Sequence, residues 1–144
     1  MTHEDEGHFA KKHPPDLKPK PETVEAVKKK ASGGKISCAA AFKVVRDMNI
    51  TPAEAGFTID YIEIKINKCQ MGIFGYEPGN KFVKSMDEVP GGLKDAIEQA
   101  VTGGRLSCNA AWEIANGLGI GKMDVSAACE TMKTKISPCQ LGAF

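Results

Sequence analysis

Aromatic side chains are scarce in this chain of 144 residues: one Trp, two Tyr and six Phe make up 6% of it. A core built chiefly on rings is excluded, so the interior must be aliphatic and alanine-rich. Long apolar runs are missing as well. No stretch approaches the roughly 18–20 consecutive apolar residues of a membrane-spanning helix, and residues 1–7 are acidic where a secretory leader would be basic and then apolar. An excess of one charge is also absent. Nineteen Lys and Arg stand against eighteen Asp and Glu, a formal net charge of +1, which supplies none of the long-range basic field that nucleic-acid binders present. Histidine is confined to His3, His8 and His13, so the rest of the chain lacks an imidazole to act as general base beside a cysteine or serine. Neither Cys-x-x-Cys nor His-x-x-x-His occurs, and no glycine-rich phosphate loop is present. These absences predict a non-catalytic, cytoplasmic protein with no obligatory cofactor, no metal site and no membrane insertion.

What the sequence does contain is a duplication. Residues 33–74 align without a gap on residues 103–144 at a constant offset of 70, with 13 of 42 positions identical. The two copies predict two units, 22–76 and 92–144, joined by a turn-rich connector over 77–91. Residues 1–21 hold four prolines and almost no aliphatic side chains, a composition that cannot offset the entropy of ordering and predicts a flexible tail. A unit of about fifty residues is marginal alone. The units are therefore expected to pack on each other or on a second copy of the chain.

Each copy reads as three helices followed by a short strand. Val24 and Val27 recur at helical spacing and are followed by Gly33-Gly34, a helix stop. Ser37 can cap a second helix with the stripe Ala40, Ala41, Val44, Val45, Met48, and Ala110, Ala111, Ile114, Ala115, Leu118 repeat that stripe. Asn49 and Gly119 then fall where a left-handed residue ends the helix, and Ile50 and Ile120 plug the corner. Thr51 and Pro52 open a third helix that buries Ala55, Ile59 and Ile62, with Val125, Cys129 and Met132 as counterparts. Residues 64–66 and 134–136 alternate like strands, and residues 70–74 read as a turn followed by a returning segment.

Ala115, Gly119 and Val125, surrounded by Ile114, Leu118 and Ile120, supply the small residue, turn glycine and buried aliphatic of one particular tight turn between helices. The first copy has Val45 and Asn49 at the first two of these positions. In this arrangement the chain resembles the helix-turn-helix superfamily, in its three-helix form with a short strand or wing. The fold expected is mostly α with short β, as two tandem winged-helix-like units.

The resemblance implies DNA binding by the third helix, yet residues 52–62 contain no basic side chain and residues 122–132 only Lys122. The DNA contacts are therefore assigned to Lys28, Lys29, Lys30, Lys65, Lys68 and Lys135, and a DNA-binding transcriptional regulator is the preferred reading. The close alternative is an accessory subunit of a larger complex, with a neutral surface that docks on a protein partner and a tail that orders along it. A third reading is a thiol redox sensor using Cys38 with Cys69 and Cys108 with Cys139, pairs that share one spacing and place a thiol at a helix N-terminus. The plain explanation of the same thiols is that cysteine packs well beside alanine, as Cys129 should. In the repeated Cys-Gln-x-Gly-x-Phe segments, Phe74 and Phe144 are expected to anchor each core.

Overall fold

The computed structural model describes residues 9–77 and 79–143. The protein is mostly helical, and one order of elements is used twice. The first copy runs α1 (Pro21–Lys30), β1 (Lys35–Ser37), α2 (Cys38–Met48), α3 (Pro52–Tyr61) and β2 (Lys65–Asn67). The second runs α4 (Gly91–Ala100), β3 (Arg105–Leu106), α5 (Cys108–Leu118), α6 (Lys122–Met132) and β4 (Lys135–Ile136).

Local chemistry accounts for the helix ends. Ser37 and Ser107 each accept an amide hydrogen bond three residues on, from Ala40 and Ala110 at 3.1 Å, and Thr51 does the same for Glu54. Asn49 (φ 53°) and Gly119 (φ 66°) close α2 and α5 in the left-handed conformation. Gly33-Gly34 lie beyond the end of α1 rather than at it. Both are left-handed, in a turn held by reciprocal backbone bonds between Ser32 and Lys35 of 2.7 and 3.0 Å. That turn launches β1, an element too short to be read from alternation, since Ile36 is its one buried residue.

The expected wing is corrected here. β2 pairs in parallel with β1, in register Lys35↔Lys65, Ile36↔Ile66 and Ser37↔Asn67, and β4 pairs in the same way with β3. Residues 70–74 form no strand. Parallel neighbours need a long crossover, which the two intervening helices of each copy supply.

The chain divides into two compact units, and it changes unit at the same step in both copies. Unit 1 holds residues 9–69 and 140–143 of the described chain, and unit 2 holds the described residues from 70 to 139. Each change falls between the Cys and the Gln of Cys-Gln-x-Gly-x-Phe, rather than at the boundaries near 76 and 92 expected from composition. The last described residues thus complete the first unit. Leu141 and Ala143 are buried there, and a Cβ on Gly56 of α3 would overlap the Leu141 carbonyl. In unit 2 the corresponding residue Met71 is fully buried, and Gly72 O accepts the amides of Phe82 and Val83 at 2.8 and 3.0 Å. Phe144 lies outside the described residues.

The core of unit 1 joins Val27 of α1, Ile36 and Ile66 of the ladder, Ala41, Phe42 and Val44 of α2, and Ala55 and Ile59 of α3. Unit 2 repeats it with Ile97, Leu106, Ile136, Ala111, Ala115, Val125 and Cys129. Several expectations shift outward, and Ile62 and Met132, expected on the buried face of the third helices, are half-buried. Leu118 is 46% exposed, and Ile50 and Ile120 are only half-buried.

The tail expected over residues 1–21 is folded from Phe9 on. Phe9–Lys12 makes one 3-10 turn, Phe9 is 1% exposed, and the amides of Phe9 and Ala10 donate to the two carboxylate oxygens of Glu63 at 2.7 and 2.8 Å. Lys12 and His13 reach the Asp60 carboxylate at 3.2 and 2.7 Å. Residues 1–8, with His3 and His8, lie outside the described residues. Unit 2 meets the matching acidic position, Glu130 of α6, with Lys81 at 2.7 Å. A short arm ahead of the first helix therefore belongs to both copies, although its sequence is not repeated.

Candidate functional site

Of the residues assigned to chemistry from sequence, Lys65, Lys135 and the four paired cysteines gather at the two ends of each ladder. At its first register pair, Lys35 stands beside Lys65, and Arg105 beside Lys135. Parallel strands lie about 4.8 Å apart, and register partners share a face of the sheet, so each pair sets two cations side by side. Like charges placed directly opposite one another are destabilising. Both copies carry the feature even though the residue at the first position differs. Lys35, Arg105 and Lys135 are exposed and Lys65 is half-buried. Sequence reasoning found Lys65 and Lys135 but missed Lys35 and Arg105. The aligned Lys/Arg ahead of Ile36 and Leu106 was a signal, but only the register gives it meaning.

Lys68, just past β2, is exposed and left-handed (φ 47°), and Pro138 stands in its place in the second copy. Lys28, Lys29 and Lys30 occupy the last turn of α1, where cations favour the helix dipole. They are exposed, but Lys29 and Lys30 line a groove of about 600 Å³ together with Glu22, Glu25 and Asp47. Three carboxylates make that groove mixed in charge rather than basic. The exposed positions of α3 include Glu54 and no Lys or Arg, and its Ala55, Gly56, Thr58, Ile59 and Asp60 are buried. A helix enclosed to this extent has little surface to offer a DNA groove.

At the far end of each ladder stand the cysteines. β1 runs directly into Cys38, and Cys69 follows β2 by two residues, so the parallel register carries both to one end. Cys108 and Cys139 repeat the placement, and Cys108 N donates to Pro138 O at 3.0 Å. Cys38, Cys69, Cys108 and Cys129 are buried and Cys139 is half-buried, and none of the five is in a disulfide. Burial, with a smaller contribution from Glu130, pushes the Cys129 thiol up to about 11, which leaves it inert.

Asp60 is a titratable group that sequence reasoning overlooked. Its side chain is 1% exposed and its Oδ1 has no hydrogen-bond partner among the described residues. Burial raises its carboxyl above the ordinary 3.8, against the opposing pull of the His13 hydrogen bond and the Lys12 charge. The folded chain therefore holds this proton more tightly than the unfolded chain. The stabilisation is full below 3.8 and is lost as pH rises through the folded value. Asp60→Asn is expected to match the parent in urea midpoint at the acid end of this window and to gain on it as pH increases. A difference that stays constant with pH would show that Asp60 ionises normally.

Among the described residues no cluster of three or more His, Cys, Asp or Glu could hold a metal ion, and no helix is long and apolar enough to cross a membrane. Comparison with family models, with curated proteins and with solved structures returns no match to this chain.

Proposed function

We propose that this chain is a non-catalytic recognition protein that binds DNA through its phosphates, using the paired cations at the start of each ladder. The observation that carries this reading is the duplicated like-charge pair, Lys35 with Lys65 and Arg105 with Lys135. An anion spanning each pair would meet two cations at once, at the same place in both copies. Phosphate contacts position a protein without reading sequence, which suits a chain whose third helices offer a single basic side chain, Lys122. The helix-turn-helix likeness of α2 with α3 and of α5 with α6 is part of the proposal. Its support is the left-handed turn at Asn49 and Gly119.

Anisotropy of a labelled duplex, titrated with salt, tests the reading. Each phosphate contact contributes about −0.9 to the slope of log affinity against log salt, so four cations give about −3.6 and the Lys35→Gln, Lys65→Gln variant loses about 1.8 of it. A slope untouched by that variant, or no binding at low salt, would overturn the reading.

A second reading, a subunit that docks on another protein, is favoured by Phe82. This ring is 61% exposed beside Tyr76, with centroids 5.2 Å apart. Exposed aromatics are enriched where protein partners bind.

A further inference from the structure

The β3–β4 ladder continues beyond its last register pair. Ser137 N donates to Leu106 O at 2.9 Å, and Cys108 N then donates to Pro138 O at 3.0 Å. Cys108 is thereby fastened to the residue directly before Cys139. That 3.0 Å bond, with an N–Cα bond of about 1.5 Å on the Cys108 side and the short step from the Pro138 carbonyl to the next Cα on the other, brings the two Cα atoms to about 6 Å. That lies within the roughly 4.4–6.8 Å that disulfides span. Cys108 opens α5, a helix of 11 residues, and the positive end of a helix dipole stabilises a thiolate. Cys139 is the one cysteine of the five that is not buried. We propose that Cys108 and Cys139 are a peroxide-responsive pair that closes to an intramolecular disulfide.

The reaction balances with one peroxide. The accessible Cys139 thiolate attacks the peroxide, so an S–O bond forms as the O–O bond breaks, leaving a sulfenic acid and, after protonation, water. The Cys108 thiolate then attacks that sulfur. The S–S bond forms, the S–O bond breaks, and the departing hydroxide takes a proton to give a second water. Two thiols lose two electrons in total, and the peroxide oxygens gain them. Cys38 and Cys69 hold the equivalent places in unit 1, but both are buried, so the oxidant reaches the unit 2 pair first.

The full chain is treated with hydrogen peroxide, blocked with an alkylating reagent and digested with trypsin without reduction. The expected product joins peptide 106–122 to peptide 136–144, lighter than the two thiol peptides together by the two lost hydrogens. It appears ahead of any link between 36–43 and 69–81, while Cys129 in peptide 123–133 remains fully alkylated. Cys139→Ser loses the link and restores alkylation of Cys108, and its circular dichroism checks that the fold is kept. Three results would overturn the proposal. They are sulfinic acid on Cys139 with Cys108 still alkylated, a dimer linked through Cys139, and a first link that forms in unit 1.

Discussion

Gly56→Ala is expected to lower the melting temperature of the chain by on the order of 10 °C, from a net cost of about 3 kcal/mol. In an isolated helix the same change would help, by about 0.8–1.0 kcal/mol. Here the new methyl meets the carbonyl of Leu141, which is backbone and cannot rotate away. The segment must lift from α3, and Leu141, 2% exposed, leaves the core. Losing a buried leucine of this kind costs about 2–5 kcal/mol, which outweighs the propensity gain. Amide chemical shifts locate the damage: those of Gln140, Gly142 and Ala143 should move to random-coil values, and those of the equivalent residues Gln70, Gly72 and Ile73 in unit 2 should stay in place. An unchanged melt with unchanged shifts would mean that Leu141 does not sit on Gly56.

Phe9→Ala is the second large effect, with an expected loss of about 3 kcal/mol. The ring is 1% exposed, and truncating a buried phenylalanine costs about 3–5 kcal/mol. The lower end applies because the arm can release from α3 once its anchor is gone, which opens the buried Asp60 carboxylate to water. Thermal melts measure the cost. Amide exchange shows whether the arm has left, since the Phe9 and Ala10 amides that now donate to Glu63 should exchange freely. A loss of stability with those amides still protected would mean a cavity under a docked arm.

These two sites also mark where sequence reasoning stopped. Features fixed by neighbours along the chain were legible: the Ser37, Ser107 and Thr51 caps, the left-handed Asn49 and Gly119, and the strand positions of Lys65 and Lys135. Pairings between distant residues were not. Phe9 is a lone aromatic in a polar stretch, and the carboxylate that receives its amide lies 54 positions away. β1 and β3 are too short to show alternation, so the wing was drawn from residues 70–74 and Lys35 and Arg105 gained no partner. The groups at each ladder were half-read for the same reason. Residue type named the cysteines and two of the lysines, but only the parallel register shows which of them share an end. Identical Cys-Gln-x-Gly-x-Phe words in both copies carry no sign of which unit each one completes.

That last ambiguity has a consequence for synthesis. Domains generally fold as units while the chain emerges, beginning with the N-terminal one. Here residues 140–143 belong to unit 1 and follow the whole of unit 2. On the ribosome the unit begun first is finished last. Until residues 140–143 have emerged, α3 is left with the Gly56 surface uncovered, however far unit 2 has folded by then.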